Sequence, residues 1–133
     1  MRKPDREPRV FLSYAAIDRD VAQEVHDAMT RSGLTVTGSH TLSTGADLSR
    51  ELRRQLLESD AVVAVSISDR QGAPAVAFEV GAALAADKPL FAIVDATVAH
   101  VAPIFAEARV YSISHVDQMI RQIRITASKA IAS

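Results

Sequence analysis

Residues 61–67 read Ala61-Val-Val-Ala-Val-Ser-Ile67, and every position in this stretch except Ser66 is apolar. Successive side chains of a strand point to opposite faces of its sheet, so a continuous apolar run is typical of a strand buried on both faces. Strands of this kind occur in parallel sheets that are covered by helices. The stretch therefore predicts a central strand of a parallel sheet.

Strand and helix patterns alternate on both sides of this stretch. Further strands are predicted at 10–14, 34–37, 89–94 and 109–113, and helices at 18–32, 47–57, 75–87 and 115–132. The segment 98–108 is ambiguous because Pro103 would break a long helix there. Strict alternation predicts an α/β fold with helices on both faces of a parallel sheet. Five such strands indicate a flavodoxin-like, doubly wound sheet with strand order 2-1-3-4-5.

The size and composition of the chain fit one domain. It has 133 residues, of which 48% are hydrophobic, and we predict a flexible leader at 1–8 followed by a single domain at 9–132. The formal net charge is −1, which argues against nucleic-acid binding because that binding depends on neutralising phosphates. The absence of cysteine excludes disulfides and thiolate metal sites.

The sequence contains neither a membrane segment nor a common cofactor motif. Its longest nearly apolar stretch, 73–86, is interrupted by Glu79 and is too short to span a bilayer. No signal-peptide pattern follows the charged N-terminus, so we expect a cytoplasmic protein without a membrane partner. The glycine-rich dinucleotide motif, the P-loop and the GxSxG serine motif are all absent. The histidines lack the spacing of metal ligands, so neither a metal nor a cofactor is expected.

Glu79 is the only charged residue between Ala73 and Ala86. A helix that is apolar nearly all round is largely buried, and an isolated carboxylate is costly to desolvate there. Glu79 could occupy the one exposed strip of this helix or accept hydrogen bonds from a loop. Its helix follows the central strand on the ligand side of the sheet, where a half-buried carboxylate could act as a base, a nucleophile or a stabiliser of a cation.

Other candidate residues lie where strands are predicted to end. In doubly wound sheets, ligands bind beyond the carboxyl ends of the strands. The hydroxyls of Ser13, Ser66 and Ser68 could hold ribose or phosphate oxygens, or they could only cap the loops. Asp18 begins a helix and could be its N-cap. Tyr14 could stack on a base or fill the end of its strand.

Several segments, taken in order, resemble Toll/interleukin-1 receptor (TIR) domains. Val10-Phe-Leu-Ser-Tyr-Ala-Ala-Ile-Asp18 resembles the first box of that family, an apolar strand followed by Ser-Tyr and then by Asp. Gly45-Ala-Asp-Leu48 resembles the end of the second-box loop, and Ser59-Asp-Ala-Val-Val-Ala-Val-Ser-Ile-Ser68 resembles the third strand. Glu79 falls where catalytic members carry a glutamate. The resemblance runs from about Arg9 to Ile123.

The resemblance implies cleavage of NAD⁺ at the bond between nicotinamide and ribose. NAD⁺ would be a substrate rather than a cofactor, and the products would be nicotinamide and either ADP-ribose or a cyclic ADP-ribose. Glu79 would be the catalytic residue. The substrate would be bound by the residues at the strand ends, Ser13, Tyr14, Asp18, Ser66 and Ser68.

The resemblance also implies activation by self-association. In active members the second-box loop of one subunit closes the pocket of the next, and residues 38–47 would take that part here, with Gly38, Ser43, Gly45 and Asp47 as its characteristic residues. Ala75 stands where many members have Trp, so stacking on nicotinamide would come from Tyr14 or a neighbouring subunit. Bacterial members commonly serve in antiphage defence, which would bring in a partner effector or sensor protein.

Two other functions fit the same residues. The chain could be a non-catalytic TIR scaffold that only self-associates or recruits a partner. Residues 69–89, with Glu79-Val-Gly81 and Lys88-Pro89, also resemble nucleoside 2-deoxyribosyltransferases, in which a glutamate on the same kind of helix is the nucleophile. The Ser-Tyr start of the chain fits that second family less well.

Overall fold

A computed structural model describes residues 7–14, 18–38, 54–67, 87–94 and 108–132 of the chain. Within these ranges it contains five strands, β1 (Arg9–Tyr14), β2 (Thr35–Gly38), β3 (Ala61–Ser66), β4 (Leu90–Val94) and β5 (Arg109–Tyr111). The same ranges contain the helices α1 (Arg19–Arg31) and α2 (Val116–Ala132), and a 3₁₀ turn at Ile113–His115 precedes α2. Residues 54–58 are also helical.

The five strands form one sheet in which every neighbouring pair is parallel. Their order is β2-β1-β3-β4-β5, which confirms the predicted flavodoxin-like arrangement. The central strand β3 pairs with β1 from Val10 opposite Ala61 and with β4 from Val62 opposite Leu90. Residues 61–65 are completely buried, as the apolar run of this stretch predicts.

Both faces of the sheet are covered. Val10 and Leu12 face α1 and α2, whose buried side chains belong to the same hydrophobic cluster, namely Ala22, Val25, Met29, Met119, Ile120 and Ile123. Phe11 alternates to the opposite face and is also completely buried. Coverage on both faces is what parallel strands require, because their side chains are apolar in both directions.

The end of α1 follows from its sequence. Gly33 has a φ of 92°, a left-handed conformation that glycine adopts without steric cost. The N–H of Gly33 donates to the carbonyl of Thr30, and the N–H of Leu34 donates to the carbonyl of Met29, each at 3.0 Å. This is the Schellman arrangement, in which a glycine directly follows the end of the helix.

Several strand ends differ by one or two residues from the sequence predictions, and the largest difference is in β5. β5 ends at Tyr111 instead of Ile113, because the backbone turns into the 3₁₀ conformation, with the N–H of His115 donating to the carbonyl of Ser112. At the other end of the chain, Glu7 forms an ion pair with Arg124, and the carbonyl of Pro8 accepts a hydrogen bond from the N–H of Thr35. Packing against the domain therefore begins before Arg9.

The predicted helix 75–87, the segment 98–108 and most of the predicted helix 47–57 lie outside the described residues. No helix in the described part of the chain combines the length and the apolar character needed to cross a membrane.

Candidate functional site

Because all five strands are parallel, their carboxyl ends meet at one edge of the sheet. This carboxyl edge is formed by the last residues of the strands, Tyr14, Gly38, Ser66, Val94 and Tyr111. In doubly wound sheets, ligands bind beyond this edge. The structure thus places the ends of β1, β2 and β3 side by side, as the sequence predicts.

At the end of β1, Ser13 and Tyr14 point to opposite faces of the sheet. Ser13 is completely buried and lies opposite Ala64 of β3. Tyr14 is half-buried and packs against the hydrophobic cluster beneath α1 and α2. Burial raises the pKa of the Tyr14 phenol, and the nearby positive charge of Arg19 partly opposes that rise. The phenol is therefore a neutral hydrogen-bonding group at physiological pH.

Asp18 connects the start of α1 to the end of β3. Its carboxyl group is buried, with the residue only 2% exposed, and its Oδ2 accepts a hydrogen bond of 3.2 Å from the backbone N–H of Ile67. Asp18 occupies the N-cap position, but its side chain forms no capping hydrogen bond. The N-cap interpretation is thus right about the position and wrong about the partner, since the carboxyl group accepts its hydrogen bond from Ile67, directly after β3.

Gly38 is the last residue of β2 and lies opposite Leu12 of β1. It was predicted as the first residue of the loop 38–47, and the structure extends the strand by that one residue. A Cβ atom at this position would overlap with the carbonyl oxygen of Leu12. Only glycine fits so close to the neighbouring backbone, and the segment that follows therefore starts directly beside the end of β1.

The structure describes five of the ten proposed site residues, and Gly38 at the end of β2 is one of them. Ser13, Tyr14 and Asp18 lie at the ends of β1 and β3, and the backbone of Ser66 ends β3 opposite Val94. Five residues named from the sequence lie outside the described residues, namely Ser43, Gly45, Asp47, Ser68 and Glu79.

A second polar cluster lies at the same edge, and it was not predicted from the sequence. The hydroxyl of Ser112 lies 2.7 Å from Nδ1 of His115 and 2.9 Å from the hydroxyl of Ser114. The sequence feature that could have predicted this cluster is the pattern Ser-x-Ser-His at residues 112–115, directly after β5. Because Ser114 and His115 are exposed, these groups are accessible to a polar ligand at the edge of β5.

Comparison with protein-family models gives one match, the TIR domain, over residues 10–124. This range includes every residue proposed above for catalysis, substrate binding or assembly. No curated protein matches the sequence.

Solved structures with the same fold are similar to this chain at low sequence identity. A CMP N-glycosidase from Clostridium botulinum, BcmB, has a TM-score of 0.58 and 16% identity, and the match covers 88% of this chain and 98% of that one. The TIR domains of the activated Roq1 resistosome have a TM-score of 0.59 and 14% identity, over 95% and 84% of the two chains. A 2-deoxyribosyltransferase from Leishmania mexicana has a TM-score of 0.52 and 19% identity, over 65% and 64%.

Proposed function

Since the chain belongs to the TIR domain family, we propose that it is an NAD⁺ nucleosidase that cleaves the bond between nicotinamide and ribose. The products are nicotinamide and either ADP-ribose or a cyclic ADP-ribose. The observation that carries the proposal is the convergence of Ser13, Tyr14 and Asp18 at the adjoining ends of β1 and β3. These residues form the segment that resembles the first TIR box.

The proposed chemistry suits a site with a single carboxylate. The nicotinamide ring of NAD⁺ already carries a positive charge and departs as a neutral molecule, so no acid has to protonate it. Departure leaves an oxocarbenium-like cation on the ribose, as in glycoside hydrolysis. In this proposal the carboxylate of Glu79 stabilises that cation and accepts hydrogen bonds from the ribose hydroxyls. Water then adds to C1 with loss of a proton, or a nitrogen of the adenine ring adds to give the cyclic product.

The residues at the carboxyl edge have supporting roles in the proposal. The hydroxyls of Ser66 and Ser68 bind ribose and phosphate oxygens, and the neutral phenol of Tyr14 lies against the substrate. The hydroxyl of Ser13 is completely buried, so it would reach the substrate only when binding uncovers the end of β1. The buried carboxylate of Asp18 holds the start of α1 against the end of β3. In this way it fixes the position of the first box relative to the central strand.

Self-association is the second part of the proposal. Residues 38–47 of one subunit close the substrate pocket of the next, and the fixed position of Gly38 beside Leu12 sets where this segment leaves the sheet. The fold relative Roq1 is described in an activated resistosome. The proposal also includes a cytoplasmic location and a role in bacterial antiphage defence. In that role, a partner sensor or effector protein would control the activity.

The proposal is tested by nicotinamide release from NAD⁺ at low and high protein concentration. We expect activity per subunit to rise with concentration, and Glu79→Gln to lose on the order of 100-fold or more in rate, as when a stabilising group is removed from a transition state. Glu24→Gln is the matched control, because Glu24 is exposed on α1 and should leave the rate unchanged. Equal rates for Glu79→Gln and the wild type would overturn the catalytic assignment.

Two alternatives are tested by companion assays on the same protein. Base exchange between deoxynucleosides, without cleavage of NAD⁺, would favour the deoxyribosyltransferase alternative. Two fold relatives, BcmB and the Leishmania enzyme, are described as acting on N-glycosidic bonds or as transferring deoxyribose, which supports testing this alternative. Self-association without either product would favour the non-catalytic scaffold, to which Ala75 in place of the usual Trp also points.

A further inference from the structure

The amino ends of β4 and β5 form an open cavity of about 370 Å³, on the edge of the sheet opposite the candidate site. Its lining in the described part of the chain includes Asp87, Lys88 and Pro89 before β4, Arg109 at the start of β5, and Thr126 on α2. This volume lies in the range of small-molecule sites. The lining combines two cations, one carboxylate and one hydroxyl with the apolar surface of Pro89.

The guanidinium of Arg109 is held in place by three contacts. Its Nη1 donates to Oε1 of Gln122 at 3.2 Å and to Oγ1 of Thr126 at 3.3 Å, and its Cζ lies 5.8 Å from the centre of the Phe91 ring. Nε and Nη2 of the same group form no hydrogen bond with any residue in the described ranges. Within the described residues, the exposed Arg109 is thus oriented by three contacts and keeps Nε and Nη2 as further donors.

Lys88 supplies the second cation of the cavity. Its Nζ donates to the backbone carbonyl of Leu57 at 3.0 Å, which is the one hydrogen bond of its three N–H donors to the described part of the chain. Asp87 precedes it with a φ of 59°, a left-handed conformation that Asp tolerates better than most residues. Both residues of this turn, Asp87 and Lys88, line the cavity.

We propose that this cavity binds a phosphate monoester of a small hydroxylated molecule. A dianionic phosphoryl group matches two cations, because the guanidinium offers parallel donors and the ammonium acts as a compact point charge. The carboxylate of Asp87 repels a bare anion but accepts hydrogen bonds from hydroxyl groups on an attached sugar. The site is separate from the carboxyl edge, so its occupation would be independent of NAD⁺ cleavage.

The competing explanation is purely structural. Arg109 covers the ring of Phe91 and links β5 to α2, and these contacts alone would stabilise an edge strand. In that case the remaining donors of Arg109 and Lys88 simply face water. The two explanations differ in whether a phosphate ester, and not the same sugar without phosphate, binds at these residues.

The test is titration of the ¹⁵N-labelled full chain, followed by amide chemical shifts, with ribose 5-phosphate, inorganic phosphate and ribose at low salt. We expect ribose 5-phosphate to shift the amides of Asp87, Lys88 and Arg109, inorganic phosphate to do so more weakly, and ribose to have no effect. Arg109→Gln should weaken binding by about tenfold or more, since it removes a charge-assisted donor pair. Arg121→Gln, at an exposed position of α2 outside the cavity lining, should leave it unchanged.

Lys88→Gln provides a second variant, should Arg109→Gln fail to fold, and it should weaken binding in the same direction. Unchanged affinity in Lys88→Gln or in a folded Arg109→Gln would overturn the proposal. Equal shifts with ribose and ribose 5-phosphate, or shifts confined to the carboxyl edge, would overturn it as well.

Discussion

The two edges of the sheet use polar groups in different ways. At the amino edge, where the strands begin, charged side chains lie near the surface, as in the ion pair between Arg124 and Glu7, whose side chains are 37% and 53% exposed. At the carboxyl edge, Ser13 and Asp18, which flank the end of β1, are buried at 0% and 2% exposure, whereas Ser114 and His115 beyond β5 are exposed. The carboxyl group of Glu7 is therefore half-exposed to water, whereas that of Asp18 is buried.

This difference has energetic consequences. An exposed ion pair gains little, because water and salt screen it and two flexible side chains must be ordered. A buried polar group loses its hydration, and the removal of its partner leaves a costly unsatisfied group behind. Substitutions of the buried groups at the ends of β1 and β2 should therefore destabilise the protein more than substitutions of the half-exposed groups at the amino edge.

The largest expected effect is at the glycine on the carboxyl edge. Gly38→Ala places a Cβ against the backbone carbonyl of Leu12, so one of the two strands has to move. We expect a loss of about 3 kcal/mol in the free energy of unfolding, at the upper end of overpacking effects. Urea unfolding followed by circular dichroism measures this loss.

Gly33→Ala is the matched substitution at the amino edge. Its added Cβ meets the end of the flexible Arg124 side chain, which can move away, so the expected cost is the left-handed backbone strain of about 1–2 kcal/mol. If Gly33→Ala cost more than Gly38→Ala, the predicted order of the two edges would be reversed.

The next effect concerns the buried carboxylate. Asp18→Ala leaves the N–H of Ile67 without its acceptor and should reduce the free energy of unfolding by about 2 kcal/mol. Asp18→Asn keeps an acceptor oxygen and should cost less. Denaturant unfolding of both variants gives the comparison.

Asp60 provides the amino-edge control for Asp18. Its Oδ2 accepts a 2.8 Å hydrogen bond from the backbone N–H of Arg9, but Asp60 is only half-buried. Asp60→Ala should therefore cost about 1 kcal/mol, since water can replace part of the lost bond. Equal losses for the alanine variants of Asp18 and Asp60 would argue against a difference between the edges.

The ion pair between Glu7 and Arg124 should contribute least among these contacts. A double-mutant cycle with Glu7→Gln and Arg124→Gln should give a coupling energy below about 1 kcal/mol. The coupling should fall further in high salt, because ions screen exposed charges. A coupling energy that exceeds the effect of Asp18→Ala would contradict the comparison.

The sequence was sufficient to predict the sheet, because its information is periodic and local. The unbroken apolar run of β3 indicates a strand that is buried on both faces. The four-residue spacing of Val25 and Met29 in α1 indicates a helix with one buried face, and both residues are buried. The end of β5 was predicted two residues too late. Val110, Tyr111 and Ile113 have strand-forming side chains, whereas the hydroxyls and imidazole of Ser112, Ser114 and His115 pair with one another in a tight turn.

The candidate site was predictable in location but not in its contacts. The rule that ligands bind at carboxyl ends identifies Ser13, Tyr14 and Asp18 without a structure. The bond from Ile67 to Asp18 joins residues 49 positions apart, and no local pattern encodes such a pair. The close approach of Gly38 to Leu12 likewise depends on the register between two strands, which the sequence pattern leaves open.

The smallest effect concerns the pH dependence of Tyr14. Burial raises the pKa of its phenol above the ordinary value of 10.0, while Arg19 lowers it. The folded state therefore favours the protonated phenol, and this contribution to stability is fully present below pH 10 and is lost as the pH rises through the folded pKa. The ultraviolet difference spectrum between wild type and Tyr14→Phe isolates the ionisation of this phenol.

Arg19→Gln sharpens this measurement. Removing the positive charge that opposes the effect of burial should raise the pKa of Tyr14 further. The substitution lies at the first residue of α1 and is exposed, so the fold should be retained. A pKa of Tyr14 that falls in Arg19→Gln, or that lies below 10 in the wild type, would show that the phenol is solvated. Polar groups on this face of the carboxyl edge would then be in an environment no drier than those of the amino edge.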